Sequence, residues 1–369
     1  MAPPPGRILT VNAGSSSLKL RVLDEEDRVV GSRDSDAPGD EAELRRELEA
    51  ILDEVPPIDA AGHRVVHGGP EFTGPTIVNP AVEDDLDGLA DLAPLHNPPA
   101  VAAMRALDAL RPDLPTVACF DTAFHAALPA AAATYALPAA WRERWPLRRF
   151  GFHGLSHAYA SRHAAGLLDR PLEDLRIVTA HLGAGASLCA VNAGVSVDTT
   201  MGFTPLEGLV MATRSGSVDP GLLLWVQRHG GIDAEEMERA LARESGLAAL
   251  SGRAGGMRGV IAGVDEGDER CRLAFDVYIH RLAAGIAAMA AALNGLDALV
   301  FTGGIGENSP RVRQEVCERV KFLGLGVDAA RNGAAGDRVI SSAESPGEVL
   351  VVGAREDLQI AAEVRRALA

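Results

Sequence analysis

Arginine, histidine and aspartate recur beside glycine turns along this chain of 369 residues, in settings suited to phosphate or carboxylate chemistry. Arg64 sits in HRVVHGG, a strand-like run that ends in a glycine turn. An arginine there suits a carboxylate or phosphate through two parallel hydrogen bonds that lysine cannot reproduce, and it equally suits a surface salt bridge. Asp121 closes the apolar run Thr116 to Phe120. Open α/β sheets place ligand chemistry at that end of a strand, so Asp121 could hold Mg²⁺ or cap the next turn. His153 and His157 stand four apart in RRFGFHGLSH, but Gly151 and Gly154 put His153 in a turn, where helical metal-ligand spacing fails. A zinc site is thereby excluded. In APLHNPP the prolines stiffen a turn and hold His96 ahead of a helix expected to run to Leu110.

Glycine turns also interrupt strand-like runs. RIVTAHLGAGASLCAV reads as strand, turn and strand, and Gly183-Ala184-Gly185 lets backbone N–H groups approach an anion, although the same composition makes an ordinary hairpin. A second copy opens the chain. Aligning Arg7 to Thr10 with Arg176 to Thr179 brings Gly14 onto Gly183 and Val22 onto Val191. The first copy carries Asn12, Ser15, Ser16, Ser17 and Lys19, which could grip phosphate oxygens or a hydrated metal, or form a serine-rich surface turn. It continues as a strand, so it is not a phosphate loop of the Walker type. Leu299 to Thr302 runs into GGIGEN, an order that would admit a nucleotide at a helix N-terminus. Two domains that each offer such a hairpin resemble the plan of the sugar kinase and actin superfamily.

The elements that must position these groups follow from periodicity. Glu43 to Leu52 has the apolar spacing of an amphipathic helix, Gly31 to Glu43 lacks periodicity and reads as a loop, and Leu282 to Leu293 reads as a buried Ala-rich helix too short to span a membrane. Helices are expected at Ala158 to Leu168, Gly221 to His229 and Ala234 to Glu244, with a last strand at Val349 to Val352 and Glu356 heading a terminal helix. The length fits two domains. A net charge of −16 argues against nucleic acid or an anionic membrane as partner, so an anionic substrate must meet a local cluster of cations. Cys119, Cys189, Cys271 and Cys317 lie far apart and read as buried thiols of a reducing cytosol. MAPPPGR lacks the features of a signal peptide.

The strings NAGSSSLK, HRVVHGG, PLHNPP, FDTAFH, RRFGFHGLSH, HLGAGAS, MGFTPLEG, TRSGSVDP and TGGIGEN stand in the order and at about the spacing seen in acetate, propionate and butyrate kinases. From Ile8 to about Ala361 the chain resembles that family. The resemblance implies duplicated RNase H-like α/β domains, with the active cleft between them. One would comprise residues 1–123 plus 357–369, the other 124–356. It implies a cytoplasmic, homodimeric enzyme that moves the γ-phosphoryl group of ATP reversibly to acetate with Mg²⁺ or Mn²⁺, giving acetyl phosphate and ADP. Propionate or butyrate kinase, or a non-catalytic nucleotide-binding member, are the alternatives.

The family's roles carry over by position. Arg64 and Arg214 hold the acceptor carboxylate and the moving phosphoryl group, His153 steadies the transition state, and His96 assists. Val66, Leu95, Phe152 and Pro205 form the acyl pocket. Asp121, Glu356 and Asn12 fix the metal through its waters. Asn12, Ser15, Ser17, Lys19, His181, Gly183, Gly185, Met257, Arg258, Gly304, Ile305, Gly306 and Asn308 contact the nucleotide. Acetate is ionised at neutral pH, so such a site needs no general base and must instead be rich in cations. The chain departs from the pattern at Ala184, where the family usually has Asn, and at Gly256, where it usually has Asp, and both changes touch the nucleotide side.

Overall fold

The computed structural model describes residues 5–14, 17–93 and 96–369. The chain divides into two compact units, Met1–Ala126 with Phe152–Tyr159 and Arg355–Ala369, and Ala127–Gly151 with Ala160–Ala354. Phe152–Tyr159, which the sequence placed in the second half, thus belongs with the first unit.

The first unit is built on β1 (Ile8–Ala13), β2 (Ser17–Leu23), β3 (Val29–Asp36), β4 (Ala60–Val65), β5 (Thr76–Ile77) and β6 (Thr116–Phe120), ordered β3-β2-β1-β4-β6-β5. β1 and β4 are parallel, as are β4 and β6, while β2 and β3 extend the sheet antiparallel. Ile8, Leu9 and Val11 of β1 are all buried because helices cover both faces. On one face the helix Glu41–Glu54, capped by Asp40, sets Leu44, Leu48 and Ile51 against Leu9, Val11 and Leu20. On the other, Ile360, Ala361 and Val364 of the terminal helix Glu356–Leu368 meet Ile8, Val117 and Cys119. A Cβ at Gly62 of β4 would overlap Ile360 and Val364, so glycine there lets the helix that begins at Glu356 lie close to the sheet.

β3 corrects the sequence-based expectation of a loop over 31–43. Its residues alternate between exposed and half-buried, and its pairing with β2 from Ser17↔Asp36 to Leu23↔Val29 comes from backbone bonds that a polar edge strand makes without an apolar signature.

The second unit repeats the plan with β7 (Arg176–Leu182), β8 (Ala186–Asn192), β9 (Val195–Thr199), β10 (Ala298–Thr302), β11 (Arg338–Val339) and β12 (Glu348–Val351), ordered β11-β12-β10-β7-β8-β9. Matched strand by strand, the two orders are the same. The hairpins differ at the turn: Ala13 pairs with Leu18 in the first, whereas Leu182 pairs with Ala186 in the second. The expected buried helix is longer than its Ala-rich part and spans Glu269–Ala292. Among the described residues it is the helix long and apolar enough to cross a membrane, but Phe275, Tyr278, Ile279, Leu282 and Ile286 are buried within the unit. All four cysteines are buried and unbridged.

His63, inside β4, is 1% exposed, and neither ring nitrogen has a hydrogen-bond partner among the described residues. Burial lowers its pKa from 6.5 to about 3. A depressed imidazole contributes stability that is present above pH 6.5 and lost as pH falls toward the folded value, about 2 kcal/mol by pH 5. We therefore expect urea unfolding at pH 7 and pH 5 to show a smaller acid loss in His63→Leu than in the parent. An identical loss would mean that His63 does not stay neutral in the fold.

Candidate functional site

In the first unit, four side chains from distant parts of the sequence form one connected cluster. Strand ends and a helix start position them. Arg64 leaves β4 and donates to both oxygens of Asp121, from Nη2 to Oδ2 at 2.5 Å and from Nε to Oδ1 at 3.2 Å. Its Nη1 donates to Asn12 Oδ1 of β1 at 3.2 Å, and Asn12 Nδ2 donates to Glu356 Oε2 at 3.2 Å. Glu356, first residue of the terminal helix, also lies 3.6 Å from Arg64 Nε. Asp121 is 1% exposed and Arg64 18%. Burial pushes the Asp121 carboxyl up, against the pull of Arg64. For Arg64, burial opposes the charge, but Asp121 and Glu356 outweigh it and raise the pKa.

Next to this cluster the backbone is fixed in an uncommon conformation. His153 has φ of 56°, in the left-handed region that costs a side-chain-bearing residue energy. Its backbone N–H donates to the Asp121 carboxylate, and Gly154 N–H donates to the Asp121 carbonyl at 2.9 Å. A Cβ at Gly154 would overlap that carbonyl, so glycine is required where the helix Gly154–Leu167 begins. His153 itself stays outside the helix, as its flanking glycines imply, while His157 falls inside it.

His96 precedes the helix Asn97–Leu110, and the following Asn97 is the anchor. Fully buried, Asn97 accepts from His67 N–H at 3.2 Å and donates to His67 O at 2.9 Å, tying the helix start to the end of HRVVHGG. Sequence reasoning missed it, although an asparagine at a helix start beside two prolines was the available signal. Val66 and Phe152 are buried, and Phe152 meets the His67 ring edge-on. Ser15 and Leu95 lie outside the described residues. Ser17 opens β2, where its carbonyl accepts from Gly14 N–H, and Lys19 is exposed.

The donor set can be tested against a divalent cation. Asn12, Asp121 and Glu356 offer the hard oxygens Mg²⁺ prefers, but both Asp121 oxygens and Asn12 Oδ1 already accept from Arg64. Among the described residues no three His, Cys, Asp or Glu side chains converge as a direct cage. The set therefore fits an ion held through its waters.

In the second unit, a pocket of about 690 Å³ opens beside the β7–β8 turn. Gly183 and Ala184 of the turn line it, with Met257 and Arg258 from the helix Gly256–Asp265 and Gly304, Ile305 and Asn308 from the helix Gly303–Asn308. Ala212, Ile261, Asp265 and Arg311 complete walls that sequence reasoning did not identify. Arg311 donates to Asp265 at 2.7 Å with its guanidinium over the Phe275 ring. The lining leaves out His181, Gly185 and Gly306. Gly306 is buried, and its carbonyl accepts from the buried Arg313. Gly256 has φ of 57° and open space where a Cβ would be.

Arg214, like the buried Arg313, is a cation of this unit with no ion pair to a carboxylate among the described residues. It is half-buried, and its Nη1 donates to the Pro205 carbonyl at 3.1 Å, near Met211 Sδ. Burial lowers its pKa.

The Acetokinase family profile matches residues 41–362. The acetate kinase of Leifsonia xyli subsp. xyli is 46% identical over 98% of this chain and 99% of its own. Among solved structures, Porphyromonas gingivalis acetate kinase superposes with a TM-score of 0.90 at 35% identity, covering 99% of this chain and all of the other. A propionate kinase from Francisella tularensis superposes with a TM-score of 0.90 at 34% identity over 97% and 98%.

Proposed function

This chain belongs to the acetokinase family, and from that premise we propose that it transfers the γ-phosphoryl group of ATP to acetate, reversibly, giving acetyl phosphate and ADP. The observation that carries the assignment is Arg214, a half-buried guanidinium without a carboxylate of its own. A desolvated cation left uncompensated by the protein favours an anionic ligand, and charge developing on a moving phosphoryl group is such a ligand.

The acceptor is already a carboxylate, so the chemistry asks the protein to orient two anions and screen them from one another. Arg64 does the first task with little freedom, because Asp121 and Asn12 fix its fork before substrate arrives. His153 is held by its own backbone bond to Asp121, and His96 by its place before Asn97. In the first unit Val66 and Phe152 supply apolar surface for the acyl methyl, and the family resemblance gives the same role to Pro205. Asn12, Asp121 and Glu356 would hold Mg²⁺ through its waters, and the ion would neutralise charge on the phosphates. The pocket beside Gly183 and Gly304 takes the nucleoside and its phosphates. A non-catalytic member of the fold would not need to retain Arg214 and Asp121 together. Propionate and butyrate stay close competitors, since one methylene in an apolar pocket discriminates by only about 1–3 kcal/mol. A homodimer belongs to the same proposal by resemblance, and exposed Leu222, Leu224 and Trp225 on the helix Pro220–Gly230 offer an apolar face for a second copy. Sedimentation at the mass of one 38.6 kDa chain would refute the dimer.

The test is acyl phosphate formation by the purified protein with acetate, propionate and butyrate, each against ATP, GTP and pyrophosphate. We expect ATP with acetate to be productive and Arg214→Ala to lose at least about a hundredfold in kcat while melting normally. Wild-type turnover by Arg214→Ala would remove that residue from the mechanism, and use of pyrophosphate alone would refute the donor assignment.

Gly256 makes the second expectation. By the family resemblance it stands where a carboxylate is usual, and a lost hydrogen bond to a neutral partner is worth about 0.5–1.5 kcal/mol. We expect weak discrimination between ATP and GTP, improved several-fold by Gly256→Asp. The left-handed backbone there tolerates Asp better than most side chains, and the space is open. A native preference for ATP of a hundredfold would contradict this.

A further inference from the structure

The segment from Thr200 to Leu209 in the second unit contains neither helix nor strand, yet it carries Pro205, whose carbonyl receives Arg214 Nη1. Backbone bonds tie it down at Thr200, Gly202 and Gly208, and side chains hold the stretch between. Tyr135 Oη donates to Glu207 Oε2 at 2.6 Å and accepts from Phe203 N–H at 2.9 Å. Arg149 Nη2 donates to Glu207 Oε1 at 2.8 Å, and its Nη1 donates to the carbonyls of Thr200 and Met201 at 3.2 and 3.0 Å. The Arg149 guanidinium also lies over the Tyr135 ring, 5.5 Å from its centroid.

Both Glu207 oxygens are therefore engaged, one by a hydroxyl and one by a cation, at the two ends of the same loop. The arrangement leaves no room at Gly202, where a Cβ would overlap the Glu207 carboxylate and the Tyr135 hydroxyl. The Gly202 carbonyl in turn accepts from Phe150 and Gly151 N–H at 3.1 and 3.2 Å, which extends the strap to the segment preceding His153.

We propose that Glu207, with Tyr135 and Arg149, is a positioning device for the acyl acceptor, fixing the loop that presents Pro205 and, through the Pro205 carbonyl, the Arg214 guanidinium. These are positioning residues, because they act through Pro205 and Arg214. Burial and the bond to Glu207 raise the Tyr135 hydroxyl above its ordinary range, so it stays a neutral donor throughout the neutral pH range. Charge-assisted bonds to both carboxylate oxygens make the strap stiffer than a neutral network of the same size.

The inference rests on the acyl kinase assignment, and its test separates the two. Tyr135→Phe keeps the ring and removes two hydrogen bonds. We expect faster amide exchange over residues 200–207, a KM for acetate raised about three- to tenfold, an altered propionate-to-acetate ratio and a KM for ATP within about twofold of the parent. Glu207→Ala should exceed this effect, and Glu207→Gln, which keeps one acceptor and the shape, should fall between. Unchanged exchange in Tyr135→Phe overturns the strap, whether or not the parent turns over an acyl acid. Faster exchange with parental KM values and acyl selectivity also overturns the proposal, since the network would then serve stability alone. A parent that phosphorylates no acyl acid refutes the kinase assignment instead, and exchange still decides whether the strap holds the loop.

Discussion

Arg64 and Asp121 form a buried ion pair at the centre of the first unit's polar cluster. Removing a carboxylate from water is costly unless a well-aligned cation replaces the lost solvation, and the two bonds from Arg64 meet that demand for a residue that is 1% exposed. Asn12 and Glu356 then satisfy the rest of the fork, so β1, β4, β6 and the terminal helix meet at one polar point. Gly62 permits that helix to approach, and Gly154 permits the turn that brings His153 N–H onto the same carboxylate. Packing and chemistry thus depend on one ion pair.

Charge is distributed differently in the second unit. Arg64 is compensated before any ligand arrives, whereas the partners of the Arg214 guanidinium among the described residues are a carbonyl and a thioether. The protein as a whole carries −16, so long-range attraction does not recruit anions to it. Recruitment must be local, and under the proposed function it falls to the Arg214 guanidinium and to backbone N–H groups at glycine turns. That division suits phosphoryl transfer, in which rigid placement of one group and strong response to developing charge by another are separate needs.

Much of this plan was legible in the sequence because it depends on local rules. Apolar runs broken by glycine predicted both hairpins, and the offset between Arg7 and Arg176 exposed the duplication that the matching strand orders display. The glycines around His153 correctly kept it out of the following helix. What escaped was tertiary. Arg64 could have been a ligand or a surface salt bridge and Asp121 a metal ligand or a cap, and no spacing rule says that residues 57 apart pair with one another. β3 escaped because a polar edge strand has no apolar periodicity. The far wall of the pocket at Ile261, Asp265 and Arg311, and the strap of Tyr135, Arg149 and Glu207, join segments whose proximity only the folded chain provides.

The dependence of the first unit on the Arg64–Asp121 pair is tested most directly by a double-mutant cycle of Arg64→Leu and Asp121→Leu, read by urea unfolding at constant m. If the pair organises the cluster, each single variant leaves a buried charge unpaired and the double variant recovers part of that loss, with a coupling of at least about 1.5 kcal/mol. Effects that add to within about 0.5 kcal/mol would contradict the account.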